Sequence, residues 1–146
     1  MYKLNWGKAI IAGIVGTILF DLFGLITTGQ WWDIPGLLGQ KTGLGMFYGV
    51  IGHYANGMLI SILYAAVAPH LWGPYWARAI LFIVGETIAL VWFFMLPFMG
   101  AGVAGIENNA MMPLMTVLRH LVYAVALIFI VNPDIENQLE GNQVEA

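Results

Sequence analysis

The sequence contains no cysteine in its 146 residues. This absence excludes disulfide bonds, thiolate metal sites, iron–sulfur clusters and cysteine nucleophiles. Ser61 is the only serine, and it lies in an apolar segment away from His53 and His120. This distance argues against a serine hydrolase, which needs a histidine beside its serine. The glycine-rich stretches 43–49 and 100–105 lack the lysine of a phosphate-binding loop.

Charged side chains are also scarce. Only 9% of the residues are charged and 60% are hydrophobic, whereas about a quarter of the residues of a soluble domain are charged. So few charges cannot cover a water-exposed surface, and we therefore expect a lipid bilayer around the chain. The net charge is -3, and without a basic patch no nucleic acid is expected as a partner.

Four apolar runs have the length of a membrane-spanning helix, which needs about 20 residues. They cover residues 8–28, 44–68, 77–99 and 113–131. Because a helix satisfies its own backbone hydrogen bonds in lipid, the sequence predicts an all-α fold, a bundle of four transmembrane helices built from two helical hairpins. The first run is too long for a signal peptide and contains Asp21, so we interpret it as a retained helix.

The ends of the runs predict the domain organisation and the orientation. Residues 1–131 form the four-helix membrane domain, and residues 132–146 are expected to form a polar, acidic and solvated tail. Lys3, Lys8 and Arg78 lie on the side of the two termini, and Lys41 lies in a loop on the other side. The positive-inside rule then places both termini in the cytoplasm, and the predicted location is the bacterial inner membrane.

Every predicted span contains polar or ionisable residues. A charged side chain at the bilayer centre costs about 2.5–3.5 kcal/mol, so these residues should face protein and one another. A rise of about 1.5 Å per residue places Asp21, His53 and His120 at one depth and Glu86 about one turn nearer the cytoplasm. We expect Arg119 to compensate charge by pairing with Asp21 or to extend towards the interface. The predicted buried cluster consists of Asp21, His53, Asn56, Glu86, Arg119, His120 and Tyr123.

Small residues share a helix face with these polar residues. In the first span the face carries Gly13, Thr17, Asp21, Gly24 and Thr28, and in the second it carries Gly49, His53, Asn56 and Gly57. Small residues allow membrane helices to approach closely, and polar residues bond across the contact. We therefore expect the first two spans to meet along these faces, with the Asp21 and His53 side chains directed at each other or at a shared cavity.

Three functions are compatible with such a cluster. The first is a structural membrane subunit whose ligand-free polar network fixes the helix register. The second is a site for haem b or a non-haem metal ion, with His53 and His120 as ligands. The third is a proton or small-solute relay or channel subunit, since buried carboxylates and histidines can exchange protons. Four helices enclose little volume, so a pore would need a homo-oligomer or a larger membrane complex. The residues define no enzymatic reaction.

Part of the sequence also resembles a known group of proteins. The residues concerned are Asp33, Ile34, Pro35, Leu38, Gly39, Gly49, His53, Gly57, Tyr64 and Ala65. In this first half, the chain resembles a family of small, uncharacterised four-helix bacterial integral membrane proteins. The resemblance implies the four-helix fold and a membrane location, and it implies no activity.

Overall fold

The computed structural model describes residues 2–144, with side chains described as far as Leu139. These residues form five helices and no β-strand. The helices are α1 (Trp6–Thr28), α2 (Asp33–Thr42), α3 (Gly45–Val67), α4 (Tyr75–Phe98) and α5 (residues 112–144). Short 3₁₀ turns at Ala68–His70 and Val103–Gly105 lie in the connections.

Four of these helices, α1, α3, α4 and α5, are long and apolar enough to cross a membrane. The prediction of an all-helical chain with four long apolar helices is confirmed, and the first three runs match their helices to within a few residues. The two hairpins are also present, because α1 packs against α3 and α4 packs against α5. The contact between α1 and α5 joins the hairpins.

Side-chain burial in the bundle is the reverse of that in a water-soluble protein. Small residues such as Ala9, Ala12 and Ala79 fill the fully buried positions between the helices. Large apolar side chains point outwards, and Ile26 and Phe47 are 81% and 80% exposed. The exterior is therefore apolar, while several polar groups lie inside.

Helix α2 was not predicted, because the segment between the first two spans was interpreted as a loop. It begins at Asp33 and ends at Thr42, and it packs along the N-terminal half of α3. Asp33 in its first turn and Lys41 in its last complement the partial charges of the helix ends. The bundle therefore has an α2 end and, opposite to it, an end that holds both chain termini.

Wide π-helical turns occur in α4 at Thr87–Met95 and in α5 at Leu127–Val131. Each ends two residues before a proline inside the same helix, Pro97 or Pro133. A proline has no N–H to donate, and its ring collides with the carbonyl group four residues earlier. A wider turn shifts that carbonyl group, so the two helices continue past their prolines.

The fourth long helix therefore does not end at Val131, and the prediction that the chain is solvated from Asn132 onwards is wrong for Asn132 and Ile135, which are buried. Asn132 is buried, it accepts a hydrogen bond from the Tyr64 hydroxyl, and its amide nitrogen donates to the Tyr75 carbonyl oxygen at 2.9 Å. Ile135 is fully buried. The acidic side chains of Glu140 and Glu145 lie outside the described part of the chain.

The start of the chain also contacts this helical extension. Lys8 Nζ lies 2.9 Å from Asp134 Oδ1, and the Asn5 amide donates to the same oxygen at 3.3 Å. Gln138 exchanges hydrogen bonds with the Lys3 backbone. These contacts hold residues 3–8 against residues 134–138 at one end of the bundle.

Replacing Asn132 with alanine is expected to lower the free energy of unfolding by about 2 kcal/mol, because the buried Tyr64 hydroxyl and Tyr75 carbonyl lose their partner. Unfolding of the purified protein in mixed micelles, followed by circular dichroism, measures this loss. Asn137→Ala is the matched control, since Asn137 is exposed on the same helix. Equal stability of the two variants would contradict a structural role for Asn132.

Candidate functional site

The first polar pair joins α1 to α3. His53 Nε2 lies 2.9 Å from Asp21 Oδ1, and the Tyr54 hydroxyl donates to Asp21 Oδ2 at 3.1 Å. The Asp21 side chain is fully buried, and the His53 side chain is mostly buried. Both carboxylate oxygens thus have partners inside the bundle, and the predicted meeting of Asp21 with His53 is observed.

The close approach of α1 and α3 explains this meeting. A Cβ atom on Gly13 would lie 2.5 Å from Met58 Cα, so only glycine fits at this crossing. One turn further, the Thr17 hydroxyl lies against Gly57, in the space that a side chain there would need. The predicted α1 face is correct for Gly13, Thr17, Asp21 and Gly24, which are buried, and wrong for Thr28, which is exposed at the end of the helix.

The second polar pair joins α5 to α2, and it differs from the prediction for Arg119. Arg119 pairs with Asp33 and not with Asp21, through two hydrogen bonds of 2.9 and 2.8 Å from Nη1 and Nη2. The guanidinium group crosses α1 at Gly24, where a Cβ atom would overlap it. Such a two-pronged pair is strong and directional, and it fixes the first turn of α2 against the bundle.

The third pair joins α4 to α5. His120 Nε2 lies 3.9 Å from Glu86 Oε2, which is longer than a hydrogen bond. Glu86 Oε2 is buried and has no hydrogen-bond partner among the described residues. His120 Nδ1 lies 2.7 Å from the Thr116 carbonyl oxygen. A carbonyl oxygen only accepts, so Nδ1 carries the hydrogen, and in the neutral form of the ring Nε2 carries the lone pair.

The Phe20 ring lies at the centre of these pairs. Its centroid is 5.5 Å from that of His53 and 5.1 Å from that of His120, and Arg119 Cζ lies 4.6 Å from it. An apolar ring therefore contacts both imidazoles. Positively charged groups are attracted to the face of an aromatic ring, which also favours the Arg119 position.

This geometry gives the haem and metal alternatives no support. His53 Nε2 is bonded to Asp21, His120 Nδ1 is bonded to Thr116, and Phe20 packs against both rings. No three His, Asp or Glu side chains in residues 2–139 are grouped closely enough to hold a metal ion. Each histidine therefore already uses one ring nitrogen inside the bundle.

Tyr123 and Asn56, the two remaining residues of the predicted cluster, belong to none of the three pairs. Tyr123 is buried, packs against Gly16 and donates from its hydroxyl to the Gly57 carbonyl oxygen at 2.6 Å. Asn56 does not belong to the buried cluster, because its side chain is exposed on the outside of α3. The prediction that Asn56 belongs to the buried cluster is therefore wrong.

The sequence did not identify Phe20, Asp33 or Tyr54 as members of the site. The position of Asp33 could have been recognised from the sequence. Asp33 lies near the N-terminal end of a short segment and a lysine lies towards the other end, which is the charge pattern of a helix. Tyr54 had a weaker signal, because it follows His53 directly and a hydroxyl in an apolar run needs a hydrogen-bond partner. Phe20 lies in an apolar run, where nothing distinguishes it from its neighbours.

Comparisons of the chain with protein-family models, with curated proteins and with solved structures find no match. The functional argument therefore depends on the geometry of the three pairs.

Proposed function

We propose that the chain is a four-span protein of the bacterial inner membrane, with both termini in the cytoplasm, that acts as a proton relay. The proposed relay groups are the Asp21–His53 and Glu86–His120 pairs. Arg119 and Asp33 hold the helices that carry them.

The membrane location is supported by the distribution of side chains. The outward faces of the four long helices carry leucine, isoleucine and phenylalanine, whereas Asp21 and Arg119 lie inside. Lys3 and Lys8 lie at the end of the bundle that holds the termini, and Lys41 lies at the α2 end. The small excess of basic residues at the termini favours a cytoplasmic position for that end.

The Glu86–His120 pair carries the proposal for a relay. When the His120 ring is neutral and the Glu86 carboxyl group is ionised, His120 Nε2 and Glu86 both lack a hydrogen, so they cannot bond to each other without one additional proton. Glu86 Oε2 is buried and has no hydrogen-bond partner in the part of the chain that the structure describes. Addition of one proton to either group creates a donor, and a small rotation of the Glu86 side chain closes the distance of 3.9 Å. The pair is therefore built to gain and lose one proton.

The Phe20 ring defines the step between the two pairs. A proton that leaves His120 must pass this ring to reach His53, because Phe20 packs against both imidazoles. Rotation of the ring, or entry of water beside it, would connect the pairs. Phe20 thus has the position of a gate in the proposed relay.

A second candidate is a structural subunit whose polar network only fixes helix packing. The Arg119–Asp33 pair favours it, because both terminal guanidinium nitrogens, Nη1 and Nη2, and both carboxylate oxygens are engaged there without any ligand. In that case the Asp21–His53 pair also serves only to align α1 with α3.

Proton flux into liposomes separates these candidates. The purified protein is reconstituted with a pH-sensitive dye inside the vesicles, and a potassium gradient with valinomycin drives proton entry. We expect flux above that of empty vesicles, and we expect Asp21→Asn and Glu86→Gln to reduce it to the empty-vesicle value. Glu107→Gln is the matched control, because Glu107 is an exposed carboxylate outside the three pairs.

Phe20→Leu is expected to raise the flux, since a smaller side chain opens the space between the two histidines. A wild-type flux equal to that of empty vesicles, in vesicles shown to contain folded protein, would reject the relay and leave the structural candidate. The relay would also be rejected if both carboxylate variants kept the wild-type flux.

A further inference from the structure

Helix α3 exposes an amide side chain at its centre. Asn56 is the middle residue of Gly45–Val67, eleven residues from each end. Its side chain is exposed, and none of the hydrogen bonds among the described residues involves it. In a bilayer this position lies near the midplane, where no water is available as a partner.

The residues around Asn56 form an uncovered seam on α3. Leu59 and Leu63 follow at intervals of three and four residues and are 63% and 50% exposed. This spacing is typical of left-handed helix pairs, in which such positions face the partner helix. Nearer the α2 end, α2 covers the same side of α3, since Pro35 packs on Gly49 and Leu38 on Gly52. The free seam therefore runs from Asn56 towards Val67.

We propose that this seam binds a second copy of the chain, with the two Asn56 amides bonded to each other across a two-fold axis. An amide both donates and accepts hydrogen bonds, so it is complementary to itself. Two copies inserted in the same orientation are related by an axis along the membrane normal, and such an axis brings identical residues together. The other side chains of the seam, Leu59 and Leu63, carry no charge. They favour the same apolar face of a second copy over a charged partner.

The proposal rests on the membrane location proposed above and is independent of the relay. A polar residue in an otherwise apolar helix seam fixes the register and number of the paired helices. The Asn56 pair would thus select a dimer and set the level at which the two α3 helices cross. The relay pairs lie within each copy, so loss of the dimer and loss of flux are separate results.

Association in lipid vesicles tests the proposal. Membrane insertion is first verified by resistance to alkaline extraction, and the dimer dissociation constant is then measured by energy transfer between labelled copies at increasing dilution in lipid. Asn56→Leu is expected to raise this constant about tenfold, the scale of one hydrogen bond between membrane helices. Asn56→Gln keeps the amide and is expected to restore most of the affinity. Phe129→Leu, at an exposed position of α5, is the control for lipid-facing changes.

Cross-linking gives a second measurement, because the chain has no cysteine of its own. Under oxidising conditions, a single cysteine at Leu59→Cys should link two copies, since seam positions of paired helices bring their Cβ atoms together. A single cysteine at Leu90→Cys, which is 48% exposed on α4, should not.

Three results would overturn the proposal. The first is a protein that stays inserted but monomeric at every density in lipid. The second is an Asn56→Leu variant that dimerises as tightly as the wild type. The third is a Leu59→Cys variant that links, in the native membrane, only to a protein of another mass.

Discussion

Replacement of Arg119 with methionine is expected to lower the free energy of unfolding by about 3 kcal/mol, because it leaves the Asp33 carboxylate without its two charged hydrogen bonds. Loss of one partner from a buried ion pair has a large effect, since the remaining charge keeps its desolvation penalty. Only 17% of the Asp33 side chain is exposed, so water compensates little of this loss. Methionine retains apolar volume beside Phe20. Unfolding in mixed micelles measures the change.

A double-mutant cycle isolates the pair. The variant Asp33→Leu combined with Arg119→Met removes both charges, and we expect it to be clearly more stable than Arg119→Met alone. Each Arg119 Nη atom bonds one Asp33 oxygen, and Asp33 Oδ1 also accepts a hydrogen bond from the Ile34 N–H, so the Asp33→Leu variant alone completes the cycle. If Arg119→Met lowered the free energy of unfolding by less than about 1 kcal/mol, the pair would contribute no more than an exposed salt bridge. This result would contradict its structural role.

The long helices could be predicted because the hydrocarbon thickness fixes the length of an apolar run. Helix α2 could not be predicted in the same way. Its sequence contains a proline and two glycines, which weaken an isolated helix. The helix forms because Gly39 lets it pack directly on the backbone of α3 at Gly45, and this tertiary contact leaves no periodic pattern in the sequence.

Depth along each helix predicted the Asp21–His53 pair, since the rise per residue is nearly constant. Rotation about the helix was less well predicted. Asn56 lies three residues from His53, which is about 300° around the helix and thus about 60° away on the other side. That angle is small enough to suggest a shared face, yet α1 covers only the His53 side of α3.

The partner of Arg119 could not be predicted from depth. An extended arginine side chain can reach past a helical turn, so several acidic residues were within its range. The choice of Asp33 depends on the gap at Gly24, through which the guanidinium group passes. The end of the fourth span was missed for a related reason, because Asn132-Pro133 normally stops a helix, and the wide turn at Leu127–Val131 lets it continue.

The contact between α2 and α3 is expected to be equally sensitive to substitution. Gly49→Ala should lower the free energy of unfolding by about 3 kcal/mol, the upper end of the usual range for overpacking. The new Cβ atom would overlap the Pro35 carbonyl oxygen, which belongs to the backbone of α2. A backbone atom cannot rotate away as a side chain can, so the two helices must separate. The same unfolding assay measures the loss.

Gly85→Ala is the matched control, since a Cβ atom on Gly85 in α4 meets no other atom within 4 Å. Alanine is a better helix former than glycine by about 1 kcal/mol, and both variants gain this contribution. The difference between them therefore reports the α2–α3 contact alone. If Gly49→Ala proved as stable as Gly85→Ala, α2 would be free to shift on α3, and the Arg119–Asp33 pair would be its main attachment to the bundle.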